Sequence, residues 1–153
     1  GLKPKLGRWP LFVVVLRTIV KEAIMVLLPF EDLIEAAKKG EWELIDQSLE
    51  HSHLTPERIR WAIEKGIVDP NPDVRDLAAT VLQDSDPKRA FTDEELKILL
   101  KRMAKDDNDF VCYRIAMALY KRGDHGPAVV EMMAEAALNR YIHKEVRKCL
   151  DEF

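Results

Sequence analysis

Apolar and charged residues recur along most of the chain at the spacing of amphipathic α-helices. After Pro29 the pattern breaks at turn residues into a series of short segments. The segments cover residues 31–39, 41–51, 56–65, 74–82, 93–105, 106–122, 127–138 and 143–152. No segment alternates with the period of two that a strand requires, so the pattern predicts an all-α protein.

Several of these helices have clear end signals. Thr55 precedes a helix whose first residue is proline and which is followed by Gly66, an order typical of helix starts and stops. Thr92 precedes a helix with acidic residues in its first turn and basic residues in its last, as the helix dipole favours. Gly40 and Gly123 stand where helices are expected to end.

A weak internal repeat appears on self-comparison of the chain. VRDLAATVL at 74–82 matches VCYRIAMAL at 111–119 in one valine, one alanine and one leucine, each at an offset of 37 positions. EVRKCL at 145–150 matches part of the second copy at an offset of 35. Each copy follows a polar turn and a longer amphipathic helix. Helix pairs at such a period are typical of an α-solenoid, whose units stack to bury their apolar faces.

The stretch DPNPDVRDLAATVL resembles the second helix of a HEAT repeat, and the resemblance covers about residues 56–150. It implies a short α-solenoid of antiparallel helical hairpins, in which Ala78 and Ala79 allow paired helices to approach closely. Cys112 occupies a position where the family pattern has arginine. We expect a HEAT-like domain over residues 31–153, with 31–51 as a divergent leading unit.

An apolar N-terminal helix is expected over residues 1–30. Arg17, Lys21 and Glu22 interrupt it, which argues against a membrane span and against a secretory signal. It either packs in the domain core or in a homodimer, or it lies on a membrane surface or a larger assembly. The candidate docking residues are Trp9, Phe12, Leu16 and Ile19.

Charge and cysteine content narrow the functional classes. The chain has 24 basic and 27 acidic residues and a formal net charge of −3, which does not favour nonspecific binding of phosphate groups. Binding of nucleic acid is therefore a lesser alternative to binding of a protein, and it rests on the basic C-terminal end. The two cysteines form no CxxC motif and are expected to be buried thiols of a reducing compartment. We expect a cytoplasmic protein, either free or peripheral to the membrane, and abundant charged residues hint at a thermophilic source.

No motif in the sequence indicates catalysis. His51 and His53 lack a third metal ligand at useful spacing, and the acidic run 106–109 lacks the glycine and glutamate of a calcium loop. The run is better explained as the N-cap of the helix that follows. Phosphate loops and nucleophile motifs are absent from the sequence. We therefore expect no enzyme activity, no cofactor, no metal and no small-molecule substrate.

The remaining candidate for a functional site is a binding surface on the outward ridge of the second helices. In solenoids of this kind that ridge lines the concave face. Each second helix is expected to turn an apolar stripe toward the core, and in the last of them this stripe contains Val146 and Leu150. The residues then expected to face outward and to bind a partner are Asp76, Thr80, Gln83, Tyr113, Met117, Lys121, Lys144 and Lys148. The sequence thus favours a scaffold module that binds a protein partner. The alternative is an accessory subunit of a larger complex that the N-terminal helix anchors to a membrane.

Overall fold

The computed structural model describes residues 29–51 and 54–153, and within these ranges it contains eight α-helices, one 3₁₀ helix and no strand. The α-helices are α1 (Phe30–Lys38), α2 (Trp42–His51), α3 (Pro56–Glu64), α4 (Pro72–Asp84), α5 (Asp93–Lys105), α6 (Asp109–Tyr120), α7 (Pro127–Ala137) and α8 (His143–Glu152). The 3₁₀ helix spans Gly66–Val68. The prediction of an all-α fold is confirmed.

The described residues belong to two compact units, with residues 29–51 in the first and residues 54–153 in the second. In the first unit α1 contacts α2, and Leu33, Ala37 and Ile45 on these helices are fully or almost fully buried. Gly40 joins the two helices at a φ of 72°, in the left-handed region that a side chain disfavours. Residues 29–51 of the first unit therefore form a helical hairpin.

The second unit contains three successive helical pairs: α3 with α4, α5 with α6, and α7 with α8. The second helices of these pairs also contact one another, α4 with α6 and α6 with α8, and α3 contacts α5. Helix α6 additionally contacts α7. Because α6 has four neighbouring helices, its side chains are buried around most of its circumference.

Side chains at the turns set where the helices begin. The Thr55 hydroxyl accepts a hydrogen bond from the Arg58 backbone N–H. Thr92 and Glu95 form a reciprocal capping box at the start of α5. Asn108, in the acidic run before α6, accepts from the Phe110 backbone N–H. The predicted caps at Thr55 and in the acidic run are confirmed, and the helix predicted after Thr92 begins with this capping box. Each cap satisfies backbone groups that a helix leaves unpaired.

The first pair of the second unit is closely packed at Gly66. A Cβ atom added there would lie 2.6 Å from the Cβ of Ala78 and 2.7 Å from the Trp61 ring. Neither neighbour is the flexible end of a long side chain, so only glycine fits. The small side chain of Ala78 on α4 thus lies where α4 closely approaches the backbone that follows α3.

Candidate interaction surface

The predicted ridge on the second helices is largely buried. Thr80 and Met117 retain 8% and 0% of their accessible surface, and Gln83 and Tyr113 are buried as well. The expectation that these four side chains face outward is wrong. The reason is that α4 and α6 contact each other side by side, while α5, α7 and α8 cover other sides of α6.

The other four ridge residues keep contact with solvent to different degrees. Asp76 and Lys121 are half-buried, whereas Lys144 and Lys148 on α8 are exposed. The Lys121 ammonium donates to the backbone carbonyl of Gln83 at 3.0 Å, across from α6 to α4. The structure therefore brings Asp76 and Lys121 together with the buried ridge residues, and leaves the two α8 lysines at the surface.

Polar groups of the ridge pair with one another through Arg114. Its guanidinium donates to the Asp76 carboxylate at 2.9 Å, to Gln83 Oε1 at 2.8 Å and to the Glu145 carboxylate at 3.3 Å. The Gln83 side-chain amide in turn donates to Glu145 at 3.1 Å. These bonds connect α4, α6 and α8, so the ridge residues hold the second helices together.

Two further arginines link the helical pairs at opposite ends of α4 and α6. Arg75 on α4 donates to Asp106 at 2.9 Å and to Asp107 at 2.8 Å, both in the turn before α6. Arg122, after α6, donates to the backbone carbonyls of Arg89 and Asp86 in the turn after α4. Arg75 lies in the stretch DPNPDVRDLAATVL, but nothing in the sequence indicated its partners, which are 31 and 32 positions away.

The last helical pair carries most of the large apolar side chains that are exposed in the described ranges. Leu138 is 89% exposed and Leu150 is 40% exposed. Leu150 was expected in the core, and that expectation is wrong because Val146 and Cys149 take the buried positions of α8. We define the end face by Val130, Ala134 and Leu138 on the α7 side and by Leu150 and Phe153 on the α8 side, all of them exposed.

A shallow groove of about 300 Å³ opens on this face near Val130 and Leu150, where the end of α6 meets α7 and α8. It is lined by Tyr120, His125, Val130, Met133, Ala134 and Leu150. The Tyr120 and His125 rings stack at its edge, with their centroids 4.0 Å apart. The groove floor is apolar, and a side chain of a partner could bury itself there.

Opposite charges flank the end face. Glu131 and Glu135 are exposed on α7, whereas Lys144 and Arg147 are exposed on α8. Among the residues with described placement, none of these four side chains takes part in an ion pair. Helix α7 thus presents acidic groups beside the apolar surface, whereas α8 presents the basic groups Lys144 and Arg147 together with the exposed Asp151.

The two cysteines are placed as structural side chains. Burial, followed by the charge of Asp106, raises the pKa of the Cys112 thiol to about 11, and burial raises the pKa of Cys149. Both thiols are free and protonated at neutral pH. In the part of the chain with described positions, no three His, Cys, Asp or Glu side chains are close enough to hold a metal ion. The His51 and His53 side chains fall outside that part.

The N-terminal candidates Trp9, Phe12, Leu16 and Ile19 lie outside the described residues. The membrane or docking role of this segment therefore stays a prediction. Among the helices whose positions are described, none is long and apolar enough to cross a membrane.

No protein-family model, no curated protein and no solved structure matches the chain. The proposed function therefore rests on the surface of the described residues.

The end face was not predicted from the sequence, although α7 carries a signal for it. Val130, Ala134 and Leu138 follow one another every four positions and form a second apolar stripe beside the buried Val129 and Met133.

Proposed function

We propose that residues 54–153 form a short HEAT-like solenoid that works as a non-enzymatic protein-interaction module and binds its partner through the end face. The observation that carries this proposal is the clustering of exposed apolar side chains on α7, α8 and their flanks, with Leu138 at 89% exposure. Large exposed apolar side chains grouped on neighbouring helices mark interaction sites, because their exposure to water is unfavourable.

The packing of the helices supports a HEAT-like arrangement. Three consecutive pairs are formed, and their second helices contact one another in chain order. Arg75 and Arg122 add polar contacts between the first two pairs. Stacking of similar units through their nearest neighbours is the defining property of a solenoid. The repeat in the sequence and the contacts between pairs thus support the same arrangement.

Binding through the end face requires less desolvation than binding through the ridge. Asp76 of the ridge is hydrogen-bonded to Arg114, which also donates to Glu145, and a partner at the ridge would have to replace these bonds. The end face has an apolar centre and unpaired charges at its border, the usual anatomy of a protein interface. For this reason we place the partner on α7 and α8 rather than on α4 and α6.

The charges of the end face favour a protein partner over an anionic surface. Lys144, Arg147 and Lys148 alone would suit phospholipid headgroups or a nucleic-acid backbone. Glu131 and Glu135 border the same apolar stripe and would be repelled by either. A protein surface with both charge signs can match this pattern.

Site-specific photo-crosslinking in the cell that makes the protein tests this proposal. A photo-reactive phenylalanine analogue replaces Leu138 in one variant and Ile98 in another. Ile98 is the matched control, because it is also an exposed apolar residue but lies on α5. We expect a discrete protein adduct from position 138 and none from position 98. Equal labelling from both positions, or no adduct from position 138, would rule out the end face as the interaction surface.

A further inference from the structure

We infer that the end face binds the end face of a second copy of this chain, in a two-fold symmetric pair. This inference rests on the proposed function, because it names the occupant of the same surface. It adds a defined partner, a defined symmetry and a defined pairing of charges. Each of these can be tested on the purified full chain.

Charge complementarity carries the inference. The acidic side chains Glu131 and Glu135 lie on α7, and the basic side chains Lys144 and Arg147 lie on α8. In a two-fold pair the same patch meets itself, so a contact from α7 to α8 of the partner occurs twice. A two-fold axis that runs parallel to α7 and α8, midway between them, places α7 of each copy over α8 of the other. The α7 acids of one copy then lie against the α8 bases of its partner. The face is therefore complementary to itself.

The apolar centre of the face has a shape that suits the same arrangement. Val130, Ala134 and Leu138 form a ridge along α7, spaced every four residues. Val130 and Ala134 of this ridge form one wall of the groove, which Met133 and Leu150 also line. In the two-fold pair the ridge of each copy lies along the groove of the other, which is the usual way in which helices pack.

The size of the face predicts a weak pair. Helices α7 and α8 have 11 and 10 residues. At a rise of about 1.5 Å per residue the face is roughly 16 Å long, and two adjacent helices are about 20 Å wide. This places the pair at the low end of interface sizes, below about 1,200 Å² of buried surface. We expect a dissociation constant in the micromolar range or weaker, and fast exchange between monomer and dimer.

Charge reversal provides a test that depends on the pairing itself. One full-length variant carries Glu131→Lys with Glu135→Lys, and the other carries Lys144→Glu with Arg147→Glu. Each variant alone places like charges opposite each other at both symmetric contacts. In an equimolar mixture, the new lysines of one variant meet the new glutamates of the other, and the native acids and bases face each other as well.

Sedimentation velocity over a concentration series is the measurement. The inference predicts a concentration-dependent dimer for the wild-type chain, at least a tenfold weaker dimer for each variant alone, and recovery of the dimer in the mixture. Circular dichroism melting of each variant serves as the folding control. All four positions are exposed, so the variants should melt as the wild type does.

The other outcomes separate this inference from the proposed function. A wild-type chain that stays monomeric at all concentrations overturns the inference, as does a dimer that neither reversal weakens. The second result would indicate another dimer surface, such as residues 9–30. In either case, a crosslinked adduct from position 138 to a different protein would leave the proposed function standing. Absence of that adduct would remove both.

Discussion

We expect the substitution Arg75→Met to lower the free energy of unfolding by about 3 to 5 kcal/mol, the usual loss when one partner of a buried ion pair is removed. The side chain of Asp106 is fully buried, and Arg75 donates to it at 2.9 Å and 3.4 Å. Arg102 is a more distant second partner, at 3.6 Å. Without Arg75 the Asp106 carboxylate would keep most of its desolvation penalty and lose its closest counter-charge.

The matched control is Asp107→Asn, because the same guanidinium reaches that residue as well. Asp107 is 88% exposed, although it lies 2.8 Å from Arg75. An exposed ion pair contributes about 1 kcal/mol or less, so this variant should unfold almost as the wild type does. Urea denaturation of both variants measures the difference. Equal losses would mean that burial of Asp106 does not determine the strength of the link between α4 and α6.

The second large effect is expected for Met117→Ala, which should destabilise the protein by about 2 to 5 kcal/mol. Met117 is fully buried on α6, and its truncation would leave a cavity among closely packed helices. Sequence reasoning placed Met117 and Lys144 on the same outward surface. Lys144 is exposed, and Lys144→Ala should change stability by no more than about 0.5 kcal/mol.

Thermal or chemical denaturation of these two variants tests which side chains of α6 face the protein interior. A large loss for Met117→Ala beside a small change for Lys144→Ala agrees with a fully surrounded α6. Similar small changes in stability for both variants would mean that Met117 faces outward, as the sequence predicted. The packing of α6 between α4 and α8 would then be in doubt.

Local features of the fold were predictable from sequence because they depend on neighbouring residues. The cap at Thr55 and the capping box at Thr92 follow from short-range backbone chemistry. The helix His143–Glu152 was predicted with these bounds from its own residue pattern. The buried stripe Val74, Ala78 and Leu82 on α4 follows from helical periodicity. These predictions needed no knowledge of how the helices pack together.

The surface was harder to predict because exposure depends on the neighbours of each helix. An inward stripe can be predicted from one helix, but the number of its packing partners cannot. Met117 is buried because α6 contacts four other helices, and Leu150 is exposed although it continues an apolar pattern. Hydrogen-bond partners such as Arg114 and Glu145 are 31 positions apart and belong to different helical pairs. Sequence spacing gave no means of pairing them.

The end face illustrates the same point at the level of function. Its residues Val130 and Leu138 fit an ordinary amphipathic helix when α7 is considered alone. Only the placement of α8 shows that this second stripe stays uncovered while Val129 and Met133 are buried. A helix with two adjacent apolar stripes is a signal for a further partner, and it can be sought in other sequences of short amphipathic helices.

The most direct test of the account is hydrogen–deuterium exchange of the full chain at a low and a high protein concentration. Association through the end face should slow exchange of the backbone amides in α7 and α8 at high concentration, because the terminal helical pair then opens less often. Exchange in α4 and α6 should not change. Protection that increases on α4 and α6 and not on α7 and α8 would contradict the account and return the interaction surface to the ridge.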